Sequence, residues 1–213
     1  MEYTDELLRS SPILNELNHI ALSHEIVEGN LVYEHPFHRL DQSFAEAFFD
    51  KRYNLFRLAQ GRNEIMEVGI NAGHSAAIML LANPAARFTF FDLCFHKYSV
   101  PCFEYLKALT LYSQLNIGDS RHTLPRYIAE WPDKKFDLIH IDGGHTLEIF
   151  RNDLEAARIL STPRTMVVLD DVNPAGELRD HLITLFQGGL AKLVNRSEHG
   201  LKPATNHEII QFI

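Results

Sequence analysis

Cysteine is nearly missing from this chain. Cys94 and Cys102 are the only two in 213 residues. They form no CxxC pair, which leaves no basis for a disulfide framework or a structural zinc site and fits a reducing, cytoplasmic setting. Basic residues are also short: 20 Lys and Arg stand against 28 Asp and Glu, a formal net charge of -8. Nucleic-acid binders present a basic patch or stripe, so no nucleic-acid partner is expected and a small molecule is the expected ligand. Long apolar runs are absent too. No stretch approaches the ~18 apolar residues of a membrane span, and the opening "MEYTDELLRSSPIL" has neither a basic n-region nor an apolar h-region. No membrane association is expected. There is no internal repeat, low-complexity tract or interdomain linker, and the length suits one substantial core burying about 70% of the unfolded surface.

Two helical patterns come first. In "SSPILNELNHIALSHEIVEG", Ser11 can serve as N-cap with Pro12 at the first helical position. Ile13, Leu17, Ile20, Ala21 and Val27 then make an apolar face that Gly29 closes. In "DQSFAEAFFDKRYNLFRLAQG", Ser43 and Glu46 have capping-box spacing. Phe44, Phe48, Leu55, Phe56 and Ala59 recur at helical intervals there, and Gly61 ends the run. These helices could pack on their own sheet or against a second copy in a homo-oligomer. They define an N-terminal segment, residues 1–61, read as part of the same domain as residues 62–213.

From residue 64 short apolar strands alternate with helical segments. The strands are predicted at Glu64–Ile70, Arg87–Leu93, Ser113–Gly118, Phe136–Asp142 and Arg164–Asp171. Such alternation implies right-handed βαβ crossovers and an α/β fold with a parallel sheet covered on both faces. "AKLVNR" and "HEIIQFI" read as a closing hairpin, which adds an antiparallel strand and brings the sheet to seven.

Ligands of such sheets bind beyond the carboxyl ends of the strands. The first strand ends in "MEVGINAGHS", where Glu67, Gly69, Gly73 and Ser75 surround a turn into a helix. Glycines there admit a ligand to the backbone, and the helix N-terminus favours an anion; a purely structural turn is the other reading. The spacing is GxxxG with Asn71 inside it, which fits a GxGxxG dinucleotide site poorly. Asp92 ends the second strand where a carboxylate can accept from both ribose hydroxyls, or cap a helix. Asp119 and Ser120 after the third can meet an adenine edge or cap the next helix.

The fourth strand ends in "HIDGGHT" and the fifth in "VVLDDV". Adjacent strands would bring Asp142 close to Asp170 and Asp171. Three clustered carboxylates repel one another unless a cation sits among them, and oxygen ligands suit Mg2+, Ca2+ or Mn2+. Helix capping and solvent exposure are the alternative. His145 has the near-neutral pKa of a general base, though a histidine at a helix start is more often a cap.

The order Glu67-x-Gly69-x-x-x-Gly73, Asp92, Gly118-Asp119-Ser120, Asp142 and Asp170-Asp171 resembles class I S-adenosylmethionine-dependent methyltransferases. Within them it is most similar to the metal-dependent O-methyltransferases of the catechol and macrocin or antibiotic-sugar types. The resemblance spans Arg62 to Val172 and implies a Rossmann-like methyltransferase fold. It implies that Glu67, Gly69, Asn71, Gly73 and Ser75 shape the pocket for the methionine part of the cofactor. Asp92 would lie on the ribose, Asp119 and Ser120 near the adenine, and Asp142 beside both cofactor and metal. Asp142, Asp170 and Asp171 match the family's Mg2+ ligands. His145 falls where catechol enzymes have a catalytic lysine and sugar enzymes a histidine. Asp171 stands where catechol enzymes have asparagine, which places the chain nearer the sugar branch. The expectation is O-methylation of a metal-chelated vicinal diol, sugar or catechol, with natural-product tailoring suggested by the resemblance alone. A metal-independent N- or O-methyltransferase, a non-catalytic cofactor-binding subunit and a nicotinamide oxidoreductase are the alternatives. Residues 1–61 match no family pattern and are expected to build part of the acceptor pocket.

Overall fold

Alternation within the strands sends side chains to two separate cores. In the computed structural model, which describes residues 2–213, strands β1 (Glu64–Val68), β2 (Arg87–Asp92), β3 (Ser113–Ile117), β4 (Leu138–Ile141), β5 (Met166–Asp170), β6 (Ala191–Leu193) and β7 (His207–Phe212) form one sheet. Their order is β3-β2-β1-β4-β5-β7-β6. The first five strands are parallel; β7 runs antiparallel between β5 and β6. One face carries Ile65, Phe88, Leu138, Val168 and Ile209; the other carries Met66, Phe91, Ile139, Val167 and Ile210. This is period-two alternation with both faces buried.

Helices α6 (Ser120–Glu130), α7 (Leu147–Ile159) and α8 (Glu177–Gln187) cover the second face. The first is covered by α4 (His74–Ala82) and α5 (Ser99–Leu109), together with α2 (Pro12–His24) and α3 (Phe49–Ala59) of the N-terminal segment. Tyr3, Leu8, Leu14, Leu17, Val32, Phe37 and Phe44 join Ile65, Phe88 and Phe90 in one apolar cluster. The two N-terminal helices therefore pack on their own sheet. Arg52 ties the segment together: fully buried, it donates to Asp5 (2.7 Å), to the Tyr3 hydroxyl (3.0 Å) and to the carbonyls of Leu31 and Ala45.

The N-terminal segment departs from its sequence pattern in three places. A short helix α1 (Asp5–Arg9), capped by Thr4, precedes the expected ones. Ser11 and Pro12 do start α2, but the helix stops at His24, and Val27 pairs with Phe37 in an isolated bridge instead of extending the helical face. Its buried side is Leu14, Leu17 and Ala21; Ile13 and Ile20 are half-buried. The Ser43–Glu46 capping box does not form. Ser43 is exposed, Phe44 bridges to Tyr33, and a turn at Glu46–Phe48 leads into α3 without a side-chain cap. Phe44 stacks edge-on against Tyr33 (5.2 Å) beneath the Arg9 guanidinium (4.3 Å), and this packing outweighs one local cap.

Among the described residues, no helix is long and apolar enough to cross a membrane. The strands end one or two residues earlier than their apolar runs suggest. Gly69, Leu93, Gly118, Asp142 and Asp171 thus lie just beyond the sheet, on the rim where the candidate site sits.

Candidate active site

At the rim, the turn after β1 depends on close backbone approach. Gly69 has φ +93°, and a Cβ there would lie 2.1 Å from the carbonyl oxygen of Asp142. Only glycine lets the ends of β1 and β4 meet this closely. Asn71, also left-handed, donates its backbone N–H to Asp92 Oδ2 (3.0 Å), while Asp92 Oδ1 accepts from Cys94 N (2.5 Å). The Asn71 amide donates to the carbonyls of Glu28 (2.9 Å) and Gly29 (2.6 Å), so the turn holds the N-terminal segment. Gly73, at φ +78°, starts α4 without a side-chain cap, leaving first-turn N–H groups unclaimed by one.

A cavity of about 370 Å³ opens against this turn. Gly69, Asn71, Asp92, Asp119, Ser120 and Asp142 all line it, with exposed Leu93 and Phe95 also on its wall. Ser75 borders a small recess of about 20 Å³ beside Gly69, Asn71 and Asp142. Gly73 lines neither space, and neither does Glu67, which is fully buried beneath them. Asp119 caps α6 through Arg121 N (2.9 Å), and its bond to the Arg121 side chain holds the carboxyl near pKa 2. Asp153 is a fully buried carboxyl whose pKa burial raises, and its Oδ1 accepts from the Asn152 amide (3.0 Å).

The three aspartates of the next two strand ends face different surroundings. Asp170, 6% exposed, binds Lys51 Nζ at 2.6 Å and faces His207 Nδ1 at 3.4 Å, both through Oδ1. Its Oδ2 is buried without a partner. Burial alone would raise its pKa, but His207, Lys51 and His140 outweigh burial and hold it well below the carboxylate range. Asp171, at φ +57°, turns outward and bonds His145 Nε2 at 3.0 Å. Asp142 has its pKa pushed well up by burial and then by Asp170, against the pull of His140.

Among the described residues, two sets of ligand atoms lie within 4.8 Å of one another: His140, Asp142 and Asp170, and Asp142, His145 and Asp171. Each joins Asp142 to one member of the adjacent pair and to a histidine. His145 is raised in pKa by its bond to Asp171, with burial opposing. It stands between a cavity of about 250 Å³, shared with Lys51, Asp142, Asp170 and Phe48, and one of about 610 Å³ lined also by Asn173, Arg179 and Asn206.

Sequence reasoning missed Lys51, His140 and His207. Lys51 is three residues after Phe48 and four before Leu55, on the apolar stripe of its helix, and a charge at such a position signals a buried partner. His140 interrupts an apolar strand on the same face as Asp142, two residues away.

A seven-stranded sheet with an inserted antiparallel strand, a cofactor-sized cavity at a glycine turn after β1 and carboxylates on the neighbouring strand ends define a class I, S-adenosylmethionine-dependent methyltransferase. The chain belongs to the methyltransferase domain family, whose model matches residues 66–172. Solved structures share the fold. CalS11, a TDP-rhamnose 3'-O-methyltransferase of calicheamicin biosynthesis, is 23% identical over 76% of each chain, with a TM-score of 0.57. A second structure of CalS11 aligns over 97% of this chain and 89% of its own, at 19% identity and a TM-score of 0.59. TomG from Streptomyces achromogenes, an O-methyltransferase of tomaymycin synthesis solved with S-adenosylmethionine, is 17% identical over 77% of this chain and 78% of its own, with a TM-score of 0.52. A comparison with curated proteins found no sequence match.

Proposed function

We propose that the protein transfers a methyl group from S-adenosylmethionine to a hydroxyl of a small molecule carrying two neighbouring oxygens, such as a vicinal diol, a sugar or a catechol. One observation carries this reading: Asp142 lines both the 370 Å³ cavity at the glycine turn and the 250 Å³ cavity of the acid cluster, so the two spaces meet at one carboxylate. The former would take the nucleoside, with Asp92 on the ribose, Asp119 and Ser120 toward the base, and Gly69, Asn71 and Ser75 framing the methionine end; Gly73 would contribute only by starting α4. The O-methyltransferase activities of CalS11 and TomG agree with it.

The acid cluster fits a divalent ion. Asp170 Oδ2 is buried without a partner, and the charge on Asp142 is disfavoured by both burial and Asp170. Asp142, Asp170 and Asp171 would hold Mg2+ or a similar ion, which on binding would acidify an acceptor hydroxyl. His145 would act as the base. Asp171 engages Nε2, which fixes the tautomer, leaves Nδ1 to accept the acceptor's proton and strengthens the ring's proton affinity. The cavity beyond His145, with Arg179, Asn173 and Asn206, would hold the rest of the acceptor. The protein's contribution is then mainly to orient two bound partners and exclude water between them.

A metal-independent reading has its own observation, since Lys51 already places a cation on Asp170. One experiment separates the two. S-adenosylmethionine binding is measured by calorimetry in the wild type and in Asp92→Ala, followed by release of S-adenosylhomocysteine with catechol and nucleotide-sugar acceptors, with and without EDTA. The proposal expects binding that Asp92→Ala weakens and turnover that EDTA abolishes. Turnover indifferent to EDTA favours the metal-independent enzyme, and no cofactor binding in any condition rejects both.

A further inference from the structure

Beneath the rim lies a buried pair that the methyl-transfer reading does not use. Glu67 on β1 and His140 on β4 are register partners, both fully buried, and Glu67 Oε1 bonds His140 Nδ1 at 2.7 Å. His140 Nε2 has no partner at all. His140 belongs with Asp142 and Asp170 to one set of residues whose ligand atoms lie within 4.8 Å of each other. An orphaned buried ring nitrogen is destabilising, and a ligand on that nitrogen would relieve the penalty.

We propose that His140 is a metal ligand through Nε2, alongside Asp142 and Asp170, and that the site therefore selects a nitrogen-accepting divalent transition ion such as Mn2+, Co2+ or Zn2+ over Mg2+ and Ca2+. The inference rests on the metal-dependent reading above and changes the identity of the ion and its ligands.

Three features carry it. A metal-bound histidine characteristically gives its other ring N–H to a carboxylate, which fixes the tautomer and aims the lone pair; the buried Glu67 carboxylate is the partner of His140 Nδ1 here, with its second oxygen unpartnered. Asp170 keeps an oxygen to offer: Lys51 and His207 occupy Oδ1, and the unpartnered Oδ2 remains. The ammonium thus stabilises the carboxylate without taking its second oxygen. Finally, Mg2+ and Ca2+ are served by oxygen, whereas a mixed set of one imidazole and two carboxylates suits the later first-row ions. Glu67, expected at the methionine end of the cofactor, acts here as the positioning residue of His140.

The test uses tag-free, metal-stripped protein. Titration calorimetry compares Mn2+ with Mg2+, and pulsed electron paramagnetic resonance of the Mn2+-loaded protein looks for a directly coordinated 14N nucleus. We expect Mn2+ to bind at least about tenfold more tightly than Mg2+. A 14N coupling is expected that survives in His145→Gln and His207→Gln and disappears in His140→Gln. Glu67→Gln should keep the coupling and weaken Mn2+ binding about 10- to 100-fold. If His140→Gln does not fold, survival of the coupling in the other two histidine variants still identifies its source within the cluster. Mn2+ bound without nitrogen coupling overturns this inference and leaves an oxygen-ligated metal standing; a coupling lost in His145→Gln or His207→Gln overturns it by assigning the nitrogen ligand to that histidine. No binding of either ion overturns both readings.

Discussion

Lys51 sets its ammonium 2.6 Å from Asp170 and 4.0 Å from Asp171, with the Lys51 and Asp170 side chains only 6% and 1% exposed. The pair joins α3 of the N-terminal segment to the end of β5, so the charge balance of the rim depends on residues far apart in sequence. Removing one partner of a buried ion pair leaves the other uncompensated. Lys51→Met should therefore destabilise the protein by about 3 kcal/mol. Asp170→Asn should also destabilise it, and the double variant should lose less than the sum. Urea melts of the four proteins measure the coupling, and strict additivity would show that the pair is energetically idle.

Gly69→Ala places a methyl 2.1 Å from the Asp142 carbonyl in a left-handed turn. The ends of β1 and β4 must then separate, and S-adenosylmethionine binding should weaken beyond calorimetric detection. Gly61→Ala is the matched control. It shares a positive φ (+71°) but meets nothing within 4 Å, so it should cost about 1 kcal/mol of stability and leave binding intact.

His74 fixes a pH dependence. It is fully buried, with Nε2 at 3.0 Å from Asn18 Oδ1, and burial lowers its pKa from 6.5 to about 4. Above pH 6.5 the ring is neutral in both folded and unfolded chains and contributes no slope. Between pH 6.5 and about 4 only the unfolded chain takes up the proton, so stability falls as pH falls, by about 3 kcal/mol across the window. Urea unfolding at pH 7.5 and pH 5 should show a smaller difference in His74→Gln than in the wild type.

Arg52 anchors the cover by shape as well as charge. A lysine cannot reproduce its donors to Asp5, the Tyr3 hydroxyl and the backbone carbonyls of Leu31, Val32 and Ala45. Arg52→Lys should lose about 3 kcal/mol and expose the first 60 residues to limited trypsin digestion. Unchanged digestion would mean that the apolar contacts of Leu14, Leu17 and Phe37 suffice.

The sheet and its rim were readable because parallel strands buried on both faces leave dense apolar runs that stop at glycine and aspartate. Val68 to Gly69 and Ile141 to Asp142 mark two such stops. The cover was less readable. Phe44 follows an aromatic cluster instead of its capping sequence, and Val27 leaves the helix for a bridge to Phe37; both depend on contacts distant in sequence. Within the site, the aspartates stood out at strand ends. Lys51 and Arg52 were hidden because a charged residue in a helix reads as solvated until the apolar residues three and four positions away are counted.

The stretch that defines the family runs from residue 66 to 172, yet it cannot be excised as a module. Glu28 and Gly29 accept from Asn71 at the turn after β1, and Lys51 meets Asp170. Without the preceding residues, Phe88, Phe90 and Leu138 would lose part of their cover and Asp170 its counterion. For engineering, this divides the work: the strand rim is the chassis, and a chimera that exchanges the first 60 residues must carry its own lysine to close the circuit.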